Sequence, residues 1–315
     1  MPPFEFRTSE ALVQHSPLEP LRGTKLLSWR QHLLNHGGNA ADFDWLLDII
    51  GGLSWSDLQY LRLFPERSVA LKVSLEQLED LWLRSLRTQE PLQYLARVCP
   101  WRDLTLSVAP GVLIPRQETE LLVDLADSLS RHCAPKIWAD LGSGSGCLAI
   151  ALAHLWPSSR GFAVDVSPEA LRQTASNLET SGVQDQLRLL EGSWWSPLEP
   201  WWGQLHLVVA NPPYIPTDDW ARLEPRVRNH EPPLALDGGP DGLRCLRTII
   251  AGASMALAPG GQLLLEHHHD QSEAVQALLR NAGLEEVISH SDLEGTLRFA
   301  SACRPVGNAH NGNSL

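Results

Sequence analysis

The segment Asp140-Leu141-Gly142-Ser143-Gly144-Ser145-Gly146-Cys147 constrains the fold more than any other stretch of the chain. It follows the apolar run 137–141 and leads into a second apolar run at helical spacing, so it reads as strand, tight loop and helix. Glycines at alternate positions let the backbone turn sharply and approach a ligand where side chains would intrude. The amides at the start of the following helix attract electron-rich groups. A glycine-rich turn that holds nothing is the plainer alternative. The dinucleotide fingerprint needs glycine at 147, where this chain has Cys147, so an adenosine ligand without a pyrophosphate fits the spacing better.

Strands and helices alternate around this loop. The strands are expected at 137–141, 161–164, 187–190, 205–210 and 262–266, and the helices near 118–132, 146–155, 168–181, 241–257 and 271–281. Such alternation predicts an α/β fold, a doubly wound Rossmann-like parallel sheet with ligands at the strand C-termini. Segments 286–289 and 297–302 read as a closing antiparallel pair, giving seven strands.

The first hundred residues have a different grammar. Helical runs at 26–34 and 43–50 stop at Gly37-Gly38 and Gly51-Gly52, and Ser54 caps a segment through Leu63. Ser74 with Gln77 makes a capping-box pattern ahead of Leu75, Leu78, Leu81, Trp82 and Leu86. Trp29, Trp45, Trp55 and Trp82 read as bundle core first and interface second. Residues 98–114 then alternate as β-structure, with Pro110-Gly111 as a turn. The expected organisation is a small N-terminal helical bundle (1–97), a β-hairpin linker (98–115), an α/β domain (116–306) and a disordered polar tail (307–315).

At 315 residues the chain suits one large domain and a smaller companion. No apolar stretch approaches the roughly 18 residues of a membrane span, and the N-terminal residues lack the features of a signal peptide; a cytoplasmic protein is expected. Five scattered cysteines without a Cys-x-x-Cys pair suggest reduced, mostly interior thiols and no zinc site. The net charge of -12 is uneven: residues 1–100 hold 10 basic and 12 acidic side chains, against 15 and 25 in the remainder. An acidic protein is a poor match for a nucleic-acid substrate, because neutralising phosphates dominates such affinity.

Three further features bear on chemistry. Asp165 ends the second α/β strand, where an acid accepts hydrogen bonds from ribose hydroxyls; alone, it would read as a helix cap. Trp194, after the third strand, is placed to wall an adenine, with ordinary packing an even alternative. In Asn211-Pro212-Pro213-Tyr214, the prolines fix the backbone and leave carbonyls free, and Asn211 adds a side-chain acceptor. Two acceptors can hold both N–H bonds of one planar NH2 group, and Tyr214 can cover that group with its ring and face a cation. This grip points to methylation of an amide or amidine nitrogen, a poor nucleophile whose rate depends on positioning. His267-His268-His269 reads as a solvated loop and not a metal site.

Together these residues resemble S-adenosylmethionine-dependent methyltransferases, and within them the release-factor glutamine N5-methyltransferase family (PrmC/HemK type). The likeness extends over nearly the whole chain. It includes Glu90-Pro91-Leu92-Gln93-Tyr94, Leu113-Ile114-Pro115-Arg116-Gln117-Glu118-Thr119-Glu120, the run from Glu231 to Gly239 with Asp241-Gly242-Leu243, and Asp292-Leu293-Glu294-Gly295-Thr296-Leu297-Arg298. Gln117 stands where proline is usual, Ser193 where an acid is common, and His267-His268 where the family has Ile-Gly.

By this resemblance Gly142, Ser143, Gly144, Ser145, Gly146, Asp165, Trp194 and Asn211 hold S-adenosyl-L-methionine. Asn211, Pro212, Pro213 and Tyr214 hold the substrate glutamine, with Asn211, Pro212 and Tyr214 as the catalytic set, and no metal is required. The implied substrate is the glutamine of the Gly-Gly-Gln motif in class 1 peptide-chain release factors, met by a monomer whose helical domain serves as the docking surface. Two other readings share the motifs: an exocyclic-amine methyltransferase of DNA or RNA bases, and a non-catalytic S-adenosylmethionine-binding module.

Overall fold

The computed structural model describes residues 19–306. The expected tail at 307–315 and the first residues of the expected helical domain lie outside the described residues. The chain divides after Ala96 into two compact units.

In the first unit β1 (Leu21–Arg22) pairs antiparallel with β2 (Ser68–Val69), and between and after them run α1 (Gly23–Leu34), α2 (Ala40–Ile49), α3 (Trp55–Leu63), α4 (Leu75–Thr88) and α5 (Leu92–Ala96). Helix starts follow local chemistry. Asn39 and Ser54 accept from Asp42 N and Asp57 N, and Ser74 with Gln77 forms the full capping box. The core gathers Leu26, Leu33, Phe43, Leu46, Leu47, Leu78 and Trp82. Trp82 is fully buried, stacks edge-on against Phe43 at 4.8 Å and donates from Nε1 to the Leu33 carbonyl at 3.3 Å. Trp29 and Trp45 pack at the margin of this core. Trp55 is instead 64% exposed, a correction to the core expectation: it is the first residue of α3, where the inward positions are taken by Leu58 and Leu61.

The second unit opens with the hairpin β3 (Val98–Trp101) and β4 (Leu104–Ser107). The two strands are joined at Arg102-Asp103, and the expected turn at Pro110-Gly111 follows β4, closed by Val112 N on the Ala109 carbonyl. Arg102 adopts φ +52°, and its guanidinium and amide are held by Glu120 and Asp124, contacts that a local turn rule does not see. Trp101, Leu104 and Leu106 join the core of this unit.

The rest is β5 (Ile137–Leu141), β6 (Arg160–Asp165), β7 (Leu187–Glu191), β8 (Leu205–Ala210), β9 (Leu257–Glu266), β10 (Glu285–Ser291) and β11 (Leu297–Cys303). They alternate with α6 (Glu120–Leu129), α7 (Cys147–Leu155), α8 (Pro168–Ser181), α9 (Pro225–His230), α10 (Arg244–Ala256) and α11 (Ser272–Asn281). The seven-stranded sheet has the order β10-β11-β9-β8-β5-β6-β7. Strands β9, β8, β5, β6 and β7 run parallel, and β11 and β10 close the edge antiparallel. Two apolar layers cover the faces: α7 packs Leu148, Ile150 and Leu152 into one, α10 packs Leu246, Ile249 and Ile250 into the other.

The chain leaves β5 towards β6 in one direction and returns to β8 on the other side, so the order reverses between β5 and β8, the place where open α/β sheets bind ligands. Of the short pieces of this unit absent from the expectation, the 3-10 turn Ser196–Trp201 lies between β7 and β8, and α9 with the 3-10 turns Thr217–Arg222 and Pro233–Ala235 lie between β8 and α10. They are too short and too rich in proline for a periodic signal.

Truncating Trp82 removes a fully buried ring and its hydrogen bond. Trp82→Ala should cost about 3–5 kcal/mol, read as a lower urea midpoint of the helical unit by tryptophan fluorescence and far-UV circular dichroism.

Candidate active site

Leu141 and Ala210 are direct partners in the β5–β8 ladder, so the glycine loop and Asn211 leave the sheet side by side. A cavity of about 340 Å³ opens there, within the roughly 300–1,000 Å³ typical of small-molecule sites. Of the sequence-predicted residues, Gly142, Ser143, Gly144, Ser145, Asp165, Trp194, Asn211 and Pro213 line it. Gly146, Pro212 and Tyr214 do not: Gly146 backs against Thr174, Pro212 is buried, and Tyr214 points its hydroxyl to Glu266. Among the described residues no N–H donates to the Pro212 carbonyl.

The loop is shaped by its glycines. Gly142, Gly144 and Gly146 have φ of +81°, +56° and +84°, a region that costs side-chain-bearing residues strain. A Cβ on Gly144 would meet open space, whereas one on Gly146 would lie 2.9 Å from Thr174. Thr174 and Asn177 on α8 brace the loop through the carbonyls of Gly144 and Ser145, each at 2.9 Å.

Asp165 accepts from Gly144 N through Oδ2 and from Ser167 N through Oδ1, both at 2.9 Å. It therefore ties the loop to the end of β6, and burial raises its pKa although these amides oppose the shift. Trp194 has φ +49°, rare for a bulky residue, and its ring lies over Gly142, 3.4 Å from where a Cβ would stand. A conformation of this kind persists only where the surroundings over-determine it. Its neighbour Trp195 packs inward and donates to the Ile249 carbonyl at 2.9 Å.

Beneath the loop, Asp140 is fully buried with neither carboxylate oxygen hydrogen-bonded. Desolvation, reinforced by the charge of Asp165 and only partly opposed by the nearby Ala149 amide, pushes its pKa up to about 7. A glycine cradle, the acid Asp165 and an apolar wall of Val164, Val166, Leu148 and Trp194 suit a ligand that joins a planar ring and a ribose.

Sequence reasoning missed the residues that hold the Asn-Pro-Pro-Tyr segment in place. Asn211 Nδ2 donates to Thr119 Oγ1 at 2.8 Å, Thr119 donates to Glu266 Oε2 at 2.7 Å, and Tyr214 donates to Glu266 Oε1 at 3.1 Å. Burial pushes Glu266 up to about 7 against the lowering effect of these two bonds, and it raises the Tyr214 phenol as well. Gln271 Nε2 donates to the Tyr214 carbonyl at 2.9 Å. Gly242, at φ +71°, passes so close that a Cβ would lie 2.2 Å from that carbonyl oxygen. The buried Glu231 accepts from Arg116 Nη2 at 2.7 Å and from Ile114 N at 3.2 Å, fastening the segments on either side of the cavity.

The histidine run departs from the solvated-loop reading. His267 is buried at the end of β9, with Nδ1 on the His268 carbonyl at 2.8 Å, because the main chain there is still bonded to β11 through Arg298. His268 is half-buried and engages Asp270, and only His269 of the three is exposed. Among the described residues no cluster of histidine, cysteine and acid side chains suits a metal ion, and no helix is long and apolar enough to cross a membrane. Cys99, Cys147 and Cys245 are buried, Cys303 is half-buried and Cys133 exposed, all as free thiols.

The fold and this cavity define an enzyme class, the S-adenosylmethionine-dependent methyltransferases. Residues 117–221 match the methyltransferase small domain family. The catalytic domain of hMettl16, solved with the MAT2A 3′UTR hairpin 6, shares the fold at a TM-score of 0.53 and 16% identity, covering 78% of this chain and 86% of that one. Particular relatives are far more similar in sequence. The release factor glutamine methyltransferase of Prochlorococcus marinus is 50% identical over 283 residues, 89% of this chain and 97% of its own length. That of a Synechocystis species is 39% identical over 282 residues, covering 87% and 93%. The chain belongs to the release factor glutamine methyltransferase family.

Two outcomes follow from the site. The folded state favours a protonated Asp140, whereas the unfolded chain ionises near the ordinary value of 3.8, so stability is lost as pH rises from there to about 7. Asp140→Asn should therefore raise Tm of the ligand-free protein at pH 8 and leave it nearly unchanged at pH 4. Gly242→Ala, which drives a methyl group into the Tyr214 carbonyl, should lower methyl-transfer turnover on the order of a hundredfold, measured in single-turnover assays.

Proposed function

We propose that this enzyme methylates the side-chain amide nitrogen, N5, of the glutamine in the Gly-Gly-Gln motif of class 1 peptide-chain release factors. The observation that carries the reading is the pairing of Leu141 with Ala210, which sets the glycine loop beside Asn211-Pro212-Pro213-Tyr214 across the point where the strand order reverses.

Bound in the cavity, S-adenosyl-L-methionine supplies a methyl carbon activated by its sulfonium. Gly142, Ser143, Gly144 and Ser145 would cradle it while Gly146 shapes the loop from behind against Thr174, with Asp165 to accept from the ribose, Trp194 to lie against the adenine and Asn211 at the reacting end. Asn211 Oδ1 and the Pro212 carbonyl accept the two N–H bonds of the glutamine amide and turn its nitrogen lone pair towards the methyl carbon. Pro213 holds the backbone extended, and Tyr214, anchored through Glu266, closes the far side. Transfer would form the N–C bond as the C–S bond breaks with its electron pair going to sulfur, and the amide nitrogen held by Asn211 and the Pro212 carbonyl would then release its proton to water or Asn211. The work is positioning, which can supply several orders of magnitude in rate.

In this reading the enzyme acts as a cytoplasmic monomer with a helical domain (1–97) that docks the release factor, a hairpin (98–115) and a catalytic domain (116–306). Nucleic acid is not a substrate, in keeping with the net charge of -12.

The test incubates the protein with S-adenosylmethionine and an unmodified class 1 release factor, followed by mass spectrometry of the Gly-Gly-Gln peptide, with total RNA and DNA as parallel acceptors. One added methyl on the glutamine is expected. Asn211→Ala should cut turnover on the order of a hundredfold or more while changing cofactor affinity much less. A labelled nucleic acid with an unmodified peptide would overturn the substrate assignment, and no transfer to any acceptor would favour a binding module.

A further inference from the structure

Thr119 occupies the N-cap position of α6, yet its side chain makes no cap bond. A threonine there ordinarily gives its oxygen to a backbone amide of the first turn. Here the hydroxyl is buried and turned towards the end of β8. It stands between Asn211 Nδ2 at 2.8 Å and Glu266 Oε2 at 2.7 Å, while Tyr214 reaches Glu266 Oε1 at 3.1 Å. Ala210 pairs with Leu265 in the sheet, so Asn211 and Glu266 leave adjacent strands together.

The direction of this chain of bonds follows from counting protons. An ionised carboxylate only accepts, so both hydroxyls must donate into Glu266. A hydroxyl has one proton, so Thr119, having donated to Glu266, can only accept from Asn211. The Asn211 nitrogen therefore faces Thr119, and its oxygen faces the other way. The two ends of an amide are nearly alike in shape, and only such a network decides which is which.

We propose that Thr119 and Glu266 are positioning residues that hold the Asn211 side-chain amide with Oδ1 towards the acceptor NH2 group and tether Tyr214 from the same carboxylate. This rests on the reading that Asn211 grips the substrate amide. Reversed, Asn211 would present two N–H donors to an acceptor that itself carries two N–H bonds, and the grip would be lost. Protonation of Glu266 permits that reversal, because one carboxyl oxygen then donates. The charged and titratable groups around it are Glu118 beside Thr119, Tyr214 after β8 and Arg298 on β11.

The experiment compares the full-length wild type with Thr119→Val, Thr119→Ser and Glu266→Gln, using S-adenosylmethionine and unmodified release factor, with cofactor Kd measured by calorimetry. Thr119→Val keeps the shape and removes the hydroxyl. It should lower kcat on the order of ten- to a hundredfold, with KM and cofactor Kd within about twofold. Thr119→Ser should restore most of kcat. Wild-type kcat should fall as pH drops below about 7, where burial places the Glu266 carboxyl, and this acid limb should be missing in Glu266→Gln. An undiminished kcat in Thr119→Val, a serine variant as impaired as the valine one, or an acid limb that persists in Glu266→Gln would overturn the proposal.

A readout independent of turnover separates failure of the relay from failure of the assigned reaction. The Asn211 side-chain amide protons, assigned by their loss in Asn211→Ala, should exchange slowly with solvent in wild type and Thr119→Ser, and fast in Thr119→Val. If wild type transfers no methyl yet this exchange pattern holds, the reaction is wrong and the relay stands. Identical exchange in all three overturns the relay whatever the activity.

Discussion

The whole arrangement depends on one backbone constraint, the parallel pairing of β5 with β8 in a register that sets Leu141 opposite Ala210. Hydrogen bonds of that ladder decide where two loops leave the sheet. Because the alternation of side chains has a period of two, a slip by one residue would turn Asp140 and Val209 to the opposite faces and bury the wrong residues. Nearly continuous apolar strands, covered on both faces by α7 and α10, hold the register. The glycine loop and the Asn-Pro-Pro-Tyr segment are thus neighbours through main-chain geometry, while their side chains remain free for chemistry.

Around this pair the protein concentrates polar groups that burial makes costly. Asp140 lies under the glycine loop with both oxygens unpartnered, and Glu266 lies under Asn211 and Tyr214 with both oxygens used. The two acids stand in different relations to their surroundings. A satisfied carboxylate orders its neighbours, whereas an unsatisfied one is destabilising when ionised and is driven towards its neutral form. Trp194 adds backbone strain on the same rim.

Much of this was legible in the sequence where the signal is local and periodic. Strand Ile137–Leu141, helix Pro168–Ser181 and the capping box of Ser74 with Gln77 fall where apolar spacing and cap chemistry put them. The glycine loop and Asn211 could be read because their residue types have few other uses at strand ends. What stayed hidden is non-local. The turn at Arg102-Asp103 is set by Glu120 and Asp124, far along the chain, and the burial of His267 by its bond to the Arg298 carbonyl. Thr119 and Glu266 are 147 residues apart in sequence, and nothing in either neighbourhood reveals that they meet. Tyr214 was expected to show its ring to the ligand, and the cavity lining does not include it, because the phenol is drawn to Glu266.

The segment after Tyr214 leaves and returns at one point. Ile215 bridges Asp237, Ile215 N bonds the Leu236 carbonyl, and Gly238 N bonds the Ile215 carbonyl. The stretch from 216 to 230 is therefore an excursion, with Thr217–Arg222 and Pro225–His230 as short turns that bury no residue, before Glu231 returns the chain to the cavity through Arg116 and Ile114. The entropy of closing such a loop grows only slowly with its length. A change in the length or charge of 216–230 therefore costs little in closure entropy and leaves the contacts of Glu231 and Tyr214 in place. The base of the loop is rigid because main-chain bonds close it, and its tip is tied to nothing that moves the methyl group.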